Sequence, residues 1–377
     1  MNMHDAIRAA CQPRNLDSVE MQDVMRIIMD GSATPAQIGA FLVALHIKGE
    51  TVDELTGAAT VMREYAAKVE VSVDKVVDTV GTGGDSAGLF NISTAAAFVA
   101  AAGGAVVAKH GNRAATGKSG SADVLEAAGV NIALSPENVG RTIDAVGIGF
   151  MFAPTHHGAT RHAVGPRREI GVRSIFNLLG PLTNPAGAGW QLVGVYEERW
   201  VRPLAESFEN LGSVHTLVVH SEDGLDEISI AAPTCISEYK DGGVADFTIK
   251  PDDFGLTIQP LDSIRVDSAE QSLEMIRQAL GGNPGPAYDM VMLNAGATLY
   301  AADLVPSLAE GMTEARAILD SKAALEKLEE MARPPRRGRD DDSSYGRDRD
   351  SRDSRVPSRQ TGRDDHGAPS GPRRRDR

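Results

Sequence analysis

Two glycine-bearing loops, separated by one short helix, constrain the fold of this chain more than any other feature. The first loop, 81–85 (Gly-Thr-Gly-Gly-Asp), follows an apolar run at 76–80, and the second is 109–113 (Lys-His-Gly-Asn-Arg). Glycine permits backbone conformations with positive φ, and a helix N-terminus offers unpaired N–H groups with a partial positive charge. The pattern of strand, glycine turn and helix therefore predicts a site for phosphate or pyrophosphate. Lys109 and Arg113 are expected to add full charges to it.

The rest of the chain divides by pattern into helical, alternating and low-complexity parts. Capping boxes at Thr34 and Thr51 predict helices within the first seventy residues, so 1–72 is expected to form a helical domain. Strand-like and helix-like runs then alternate over 73–332, which predicts an α/β domain with a central, mostly parallel sheet flanked by helices. The predicted strands are 76–80, 105–108, 148–152, 191–196, 214–220 and 288–294, with helices that include 119–128 and 135–146, and helix-rich sequence after Asp267.

The C-terminal segment 333–377 differs from the rest in composition. It contains 14 Arg and 9 Asp with almost no apolar side chains, so we expect a disordered tail. The whole chain has a net charge of −14, which leaves the body near −19 and argues against broad binding of nucleic acid. Weak contact with RNA or protein through the tail is the one exception, because arginine-rich disordered segments can bind RNA.

Several features favour a cytoplasmic protein. Cys11 and Cys235 are the two cysteines and lie far apart in sequence, so no disulfide framework is implied. The N-terminus lacks a basic region followed by an apolar core, and the longest apolar stretch, near 95–108, is broken by glycines and too short to span a bilayer. We expect neither export nor membrane insertion.

The order of the motifs is more specific than any one of them. The loops at 81–85 and 109–113, the segment 91–94 (Asn-Ile-Ser-Thr) and the segment 119–123 (Ser-Gly-Ser-Ala-Asp) fall within about forty residues, each where a strand gives way to a helix. No Gly-Lys-Ser/Thr follows the first loop, so the pattern is not that of a P-loop. The glycine spacing of the loop is not that of a Rossmann dinucleotide-binding fold either.

With the segments 48–51, 171–185, 223–229 and 294–296, this order resembles the anthranilate phosphoribosyltransferase family from about residue 15 to about 331. The resemblance implies transfer of a phosphoribosyl group from phosphoribosyl pyrophosphate to the amine of anthranilate, in tryptophan biosynthesis. It also implies a helical domain and a larger α/β domain with the cleft between them, a segment near 164–185 packed on the helical domain, and a homodimer formed through that domain.

The resemblance assigns residues to each ligand. The contacts implied for phosphoribosyl pyrophosphate are Gly81, Gly84, Asp85, Asn91, Ser93, Thr94, Lys109 and Ser121. Those implied for anthranilate are Gly81, Asn112, Arg167, His110 and His157. Magnesium is implied on Asp226, Glu227 and the Ser93 hydroxyl, and Lys109 with the two acids is expected to be catalytic. Oxygen ligands of this kind suit Mg²⁺, whereas no cysteine or carboxylate set accompanies the histidines to favour zinc.

Four positions depart from the family pattern, namely Leu89, Ala114, the pair 116–117 and Thr160. The first three remove hydroxyl groups that could contact phosphate, so a weaker affinity for the donor is expected. Three alternatives stay open: a pyrimidine-nucleoside phosphorylase of the same architecture, a non-catalytic relative that binds nucleic acid, and an enzyme for a different aromatic amine. The region around Arg167 and the pair Asp226 and Glu227 argue against the first, and the acidic body argues against the second.

Overall fold

The computed structural model describes residues 1–84, 87–114 and 118–333. The first four helices have capped N-termini: the side chain of Thr34 caps the third of them and that of Thr51 caps the fourth, in each case as part of a capping box. The predicted capping boxes are therefore confirmed. These helices are α1 (Met3–Cys11), α2 (Ser18–Met29), α3 (Pro35–Lys48) and α4 (Val52–Tyr65).

Strands and helices alternate after α4. The strands are β1 (Val76–Gly81), β2 (Val106–Gly111), β3 (Ile148–Phe152), β4 (Trp190–Gly194), β5 (His215–Ser221), β6 (Thr234–Lys240) and β7 (Gly243–Ile249). The helices are α5 (Ile92–Ala102), α6 (Ser121–Ala127), α7 (Pro136–Val146), α8 (Ala153–His156), α9 (Arg161–Ile170), α10 (Phe176–Leu182), α11 (Val201–Asn210), α12 (Ala269–Leu280), α13 (Pro286–Ala301), α14 (Leu308–Ser321) and α15 (Ala323–Ala332). The predicted fold class, a helical domain followed by α/β alternation, is confirmed.

The seven strands form one sheet in the order β3-β2-β1-β4-β5-β6-β7. The first five strands in this order are parallel, and β6 and β7 add an antiparallel hairpin at the edge. The chain runs outward from β1 to β3 and then returns to place β4 on the other side of β1. Ligands of open α/β sheets bind at the carboxyl ends of the strands beside such a reversal. The topology therefore marks the ends of β1 and β4 as the candidate site.

The two faces of the sheet carry different cores. Leu192 and Leu217 pack with α5 and α13 on one face, whereas Val193 and Val218 pack with α1–α4, α10 and α11 on the other. This alternation follows from the two-residue period of a strand. The core of the N-terminal helices is thus continuous with one face of the sheet, and α9 packs against α3 within it.

A polar cluster lies at the opposite, amino ends of the strands. The imidazole of His215 is fully buried, with Nδ1 2.8 Å from Asp303 Oδ1 and Nε2 2.9 Å from Glu238 Oε1. Burial opposes the charge of Asp303, but hydrogen bonds from Lys240, Trp190 and His215 outweigh it and lower its pKa to about 2. This cluster joins the end of α13 to three strands, far from the strand ends that carry the glycine loops.

One predicted strand is wrong. Residues 288–294 lie in α13, which begins after Gly285 with Pro286 in its first turn. Nearly every side chain of this helix is buried, so its apolar residues do not repeat every three to four positions. A short apolar run without that period does not distinguish a strand from a buried helix. The hairpin β6–β7 was not predicted.

Some predictions fall on residues that the structure does not describe. Asp85, the pair at 116–117 and nearly all of the expected tail lie outside the described ranges. Within those ranges, none of the helices combines the length and the apolar character that crossing a bilayer requires.

Candidate active site

The loop after β1 and the N-terminus of α5 meet an acidic turn that follows β5. Gly83 and Gly84 have φ values of +68° and +85°, which glycine adopts without strain. The N–H of Gly83 donates to Asp226 Oδ2 at 2.7 Å, and the N–H of Ser93 donates to Glu227 Oε1 at 3.1 Å. The structure thus brings both predicted acids to the two groups of N–H donors that the sequence assigns to phosphate.

Two glycines in register make room for that acidic turn. Gly81 ends β1 and pairs with Gly194, which ends β4. A Cβ on Gly194 would stand 1.6 Å from the carbonyl oxygen of Asp226, and one on Gly81 would stand 2.4 Å from its Oδ2. Side chains at these positions would therefore displace Asp226. The sequence pointed to Gly81 but not to Gly194, whose role depends on a partner thirty-two residues away.

Lys109 lies on β2 beneath the N-terminus of α5. Its side chain is buried, and Nζ donates to the Thr79 carbonyl at 2.5 Å and to Ser93 Oγ at 3.3 Å. Burial lowers the pKa of this ammonium group, while the nearby carboxylates of Asp78 and Glu227 act in the opposite direction. Lys109 is thereby held as a positioned cation next to the N–H groups that are predicted to bind phosphate.

Asp78 is a buried acid that the sequence analysis missed. Its Oδ1 accepts from the N–H of His110 at 3.2 Å, and its Oδ2 accepts from Asn184 Nδ2 at 2.7 Å. Burial raises its pKa to about 6, against the lowering influence of Lys109 and these hydrogen bonds. A lone acid inside the apolar run 76–80 was the available signal. This network fixes the backbone of β2 between Lys109 and His110.

The remaining residues predicted to contact phosphoribosyl pyrophosphate are arranged around the second loop. The Asn91 amide donates to the Ser119 carbonyl at 3.3 Å, and Ser121 Oγ donates to the Asn112 carbonyl at 3.3 Å. Thr94 is buried, and its hydroxyl has no hydrogen-bond partner within the described ranges. Arg113 is paired with two acids, Asp123 and Glu126, so it does not supply the free charge that the sequence suggested.

The two histidines predicted to lie near anthranilate are side by side. The ring centroids of His110 and His157 are 5.1 Å apart, and both side chains are buried. Burial lowers the pKa of His110 to about 3 and that of His157 to about 4, so both rings are neutral at pH 7. His110 Nδ1 lies 3.3 Å from the Gly180 carbonyl oxygen, and the ring of His157 is hydrogen-bonded to the backbone of Thr183. Because a carbonyl oxygen can only accept, the ring nitrogen facing it carries the proton. The Nε2 of each ring is then a hydrogen-bond acceptor that has no partner among the described residues.

Arg167 is a partly buried cation. Its guanidinium lies 5.0 Å from the centroid of Phe176, and no carboxylate pairs with it in the described part of the chain. Desolvation lowers its pKa. Its neighbour Arg168 is exposed. An unpaired guanidinium in such a setting is suited to a bidentate contact with a carboxylate. Asn112, the other predicted acceptor residue, is exposed in the second loop.

The oxygen atoms at this site suit a magnesium ion that is also bound by phosphate, rather than a metal ion held by protein side chains alone. Within the described ranges no three His, Cys, Asp or Glu side chains are grouped closely enough to hold a metal ion. Mg²⁺ commonly takes one or two carboxylates together with phosphate oxygens and water. Asp226, Glu227 and Ser93 Oγ are hard oxygen donors placed at the two N–H-bearing segments. These residues therefore fit a magnesium ion that arrives with a phosphorylated ligand.

Fold and site together define a glycosyl transferase with a helical bundle domain and an a/b domain. The model of the glycosyl transferase family helical bundle domain matches residues 4–66, and that of the family's a/b domain matches residues 73–325. The second match alone covers more than half of the chain.

Curated relatives narrow this class. The anthranilate phosphoribosyltransferase of Thioalkalivibrio sulfidiphilus is 60% identical over 331 residues, covering 88% of this chain and 98% of the relative. That of Ectopseudomonas mendocina is 57% identical over 335 residues, covering 88% and 96%. This chain belongs to the anthranilate phosphoribosyltransferase family.

Solved structures agree with this assignment. The crystal structure of anthranilate phosphoribosyltransferase from Thermus thermophilus superposes with a TM-score of 0.83 at 44% identity, covering 87% of this chain and 98% of the other. The Saccharomyces cerevisiae enzyme in complex with PRPP and Mg superposes with a TM-score of 0.79, covering 88% and 96%. At 24% identity, this second likeness concerns the fold alone.

Proposed function

We propose that this chain transfers the phosphoribosyl group of phosphoribosyl pyrophosphate to the amine of anthranilate and releases pyrophosphate, as a step of tryptophan biosynthesis. One observation carries the proposal: Lys109, Asp226 and Glu227 converge on the two N–H-bearing segments at the strand ends. Membership of the family gives the reaction, and the yeast relative is known in complex with PRPP and Mg.

The donor half of the site stabilises a departing anion. The N–H groups of Gly83 and Ser93 and the ammonium of Lys109 face the pyrophosphate as negative charge grows on it. Gly81, Gly84, Asn91, Thr94 and Ser121 complete the donor contacts in this proposal, and Asp85 is assigned to the ribose hydroxyls or the metal shell. Asp226, Glu227 and Ser93 would hold Mg²⁺, which supplies charge neutralisation to the leaving group.

The acceptor half orients the nucleophile. Arg167 pairs with the anthranilate carboxylate, and Asn112 closes the same side. The amine donates an N–H to a bare Nε2 of His110 or His157, which directs its lone pair toward C1 of the ribose. The C–N bond forms as the C–O bond to pyrophosphate breaks, with inversion at C1, and the proton that the amine then loses passes to the departing pyrophosphate or to solvent. These residues act by positioning and electrostatics rather than by general acid–base catalysis.

The test is a direct assay with matched variants. Protein, magnesium, phosphoribosyl pyrophosphate and anthranilate are mixed, and anthranilate loss and pyrophosphate release are measured together. We expect turnover to fall by about 100-fold or more in Lys109→Ala and in Asp226→Asn with Glu227→Gln, because each removes charge that stabilises the leaving group. Glu222→Gln, an exposed acid of the same turn, is the control and is expected to retain full turnover.

Three outcomes would contradict the proposal. Equal amounts of product from the wild type and the Lys109 or acid variants, at controlled magnesium, would refute the assigned roles. Cleavage of thymidine by phosphate, without any reaction of anthranilate, would favour a nucleoside phosphorylase. Reaction of another aromatic amine in preference to anthranilate would reassign the acceptor.

A homodimer is the proposed assembly, through the helical domain. Helix α3 is apolar on both sides: Phe41 and its neighbours face the core, whereas Ala36, Ala40, Val43 and Ile47 form a second stripe at helical spacing. Ile47 is 78% exposed, so this stripe lacks cover within one copy. We expect Ile47→Glu to give a monomer in sedimentation, and Val19→Glu, at a 66% exposed valine of α2, to leave the dimer intact.

Two free cysteines accord with the proposed cytoplasmic location.

A further inference from the structure

Arg173 connects the anthranilate side of the proposed site to the loop that follows β1, residues 81–84, which is called the donor loop below. It lies between α9 and α10, six residues after Arg167. Its Nη2 donates to the Gly84 carbonyl, and its Nη1 donates to Glu197 Oε1 at 3.3 Å. The guanidinium also lies over the ring of Tyr196, 4.1 Å from the centroid. Three contacts thus fix the plane of this side chain against the loop that follows β1.

The turn at Gly83 and Gly84 is held through its backbone, where the Gly83 N–H donates to Asp226 Oδ2 at 2.7 Å. Gly83 and Gly84 have no side chains, and both adopt positive φ. On the other side of the turn, Thr82 donates its N–H to the Gly194 carbonyl at 2.9 Å and accepts from the N–H of Tyr196 at 3.1 Å. The Gly84 peptide is therefore held by the Arg173 guanidinium, while Tyr196 supports both the loop and the arginine.

The chain on the other side of Arg173 leads directly to the acceptor residues. Ile175 and Phe176 are buried in the core shared by the helical bundle and the sheet. The Phe176 ring is the surface on which the Arg167 guanidinium lies. A shift of the Gly84 peptide that draws Arg173 with it would therefore change the packing under Arg167, because only two residues separate Arg173 from Phe176.

We propose that Arg173 is a positioning residue that couples the two ligands, so that pyrophosphate at the Gly83–Gly84 turn strengthens the binding of anthranilate beside Arg167. The inference rests on the proposed function. Coupling of this kind is reciprocal: anthranilate strengthens pyrophosphate binding by the same factor. The contact needs a planar fork that bonds a carbonyl and a carboxylate while stacking on an aromatic ring, which lysine does not reproduce.

Titration calorimetry measures the coupling without turnover. The affinity of anthranilate is determined in the absence and presence of saturating magnesium pyrophosphate, for the full chain and its variants. We expect the wild type to bind anthranilate at least about 5-fold more tightly with pyrophosphate present, at the lower end of common coupling factors. In Arg173→Gln and Arg173→Lys the factor is expected to fall below about 2-fold, with each separate affinity changed less than about 3-fold.

Arg199 provides a matched control. It pairs with the same carboxylate, with Nε 2.6 Å from Glu197 Oε2, and lies over the ring of Trp200 at 5.0 Å. Arg199→Gln therefore removes a comparable arginine without touching the donor loop, and we expect it to retain the wild-type coupling. A mere loss of surface packing would affect both variants alike.

The outcomes separate this inference from the proposed function. A wild type that binds neither ligand refutes the proposed function, and the inference falls with it. A wild type that binds both ligands without coupling, or an Arg173→Gln variant with undiminished coupling, overturns the inference alone. Should Arg173→Gln fail to fold, Arg173→Lys decides: wild-type coupling there overturns the inference as well.

Discussion

Replacement of Arg167 by methionine is expected to weaken the binding of anthranilate and to stabilise the ligand-free protein. The guanidinium is partly buried and has no carboxylate partner in the described part of the chain, so it costs desolvation without an ion pair to offset it. The same group is the proposed partner of the substrate carboxylate. Opposite effects on stability and on binding are what distinguish this role from a structural one.

The magnitudes follow from the surroundings of Arg167. The stacking of the guanidinium on Phe176 at 5.0 Å contributes about 0.5–2 kcal/mol, and a methionine sulfur against the same ring contributes about 0.3–1.5 kcal/mol. These terms nearly cancel, so relief of desolvation remains and the free energy of unfolding should rise by about 1 kcal/mol. Loss of a charge-assisted hydrogen bond costs about 1.5–3 kcal/mol, or about 10- to 150-fold in the KM for anthranilate.

The assay is anthranilate depletion followed by fluorescence, with phosphoribosyl pyrophosphate saturating. If the contact is equally strong in the ground and transition states, KM rises and kcat changes little. Arg168→Met, at the exposed neighbour, should leave both constants and the stability unchanged within about 0.5 kcal/mol. An Arg167→Met variant that melts at a lower temperature, or that loses no more affinity than Arg168→Met, would refute the reasoning.

Three further changes test the framework. Gly194→Ala should displace Asp226 and reduce magnesium-dependent turnover by about 100-fold, because a shift of about 1 Å in a catalytic group has that effect. Asp303→Asn should lower the melting temperature most above about pH 4, the pKa of an unfolded aspartate, and the difference should vanish as the pH falls toward the folded value of about 2. Lys48→Met should cost about 3–5 kcal/mol, since it leaves the buried carboxylate of Glu54 without its ion-pair partner.

Each of these has a control or a contrary result. Gly189→Ala adds the same methyl group at the other end of β4, where the nearest atom, Val214 Cγ2, is 3.4 Å away, and should keep full turnover. A constant gap between wild type and Asp303→Asn from pH 6 to pH 3 would show that ionisation of this residue is irrelevant. Addition of Glu54→Gln to Lys48→Met should restore most of the lost stability in urea unfolding, and no recovery would contradict the assigned pairing.

The sequence was sufficient for the parts of the fold that local signals specify. The boxes at Thr34 and Thr51 cap helices because the cap and its partner three residues later are adjacent in sequence. The error at 288–294 has a matching cause: a helix buried on all sides has no amphipathic period, so its sequence resembles that of an internal strand. The hairpin β6–β7 escaped notice because its outer strand is largely exposed, with few apolar residues in alternation.

The sequence indicated candidate residues for the site but not the contacts between them. Motif order identified the loops, yet nothing local indicates that the Gly83 N–H bonds Asp226, 143 residues later. Arg113 illustrates the converse: a cation in the loop suggests a phosphate ligand until two acids of the next helix are found beside it. Pairings across the sheet decide which charges are free, and they depend on the fold as a whole.

The acidic turn explains a feature that the sequence alone makes puzzling, namely carboxylates in a site built for anions. In this structure Asp226 and Glu227 accept from N–H groups of the two segments that would otherwise bind phosphate. Under the proposed function, an entering pyrophosphate would compete with anions that the protein already holds there, and like charges at such distances repel. The same carboxylates would attract a divalent cation, so we expect the site to discriminate against a bare anion and in favour of one that carries magnesium. The glycines at 81 and 194 would serve this selectivity, because a side chain at either position would move the acids away from the donors they now occupy.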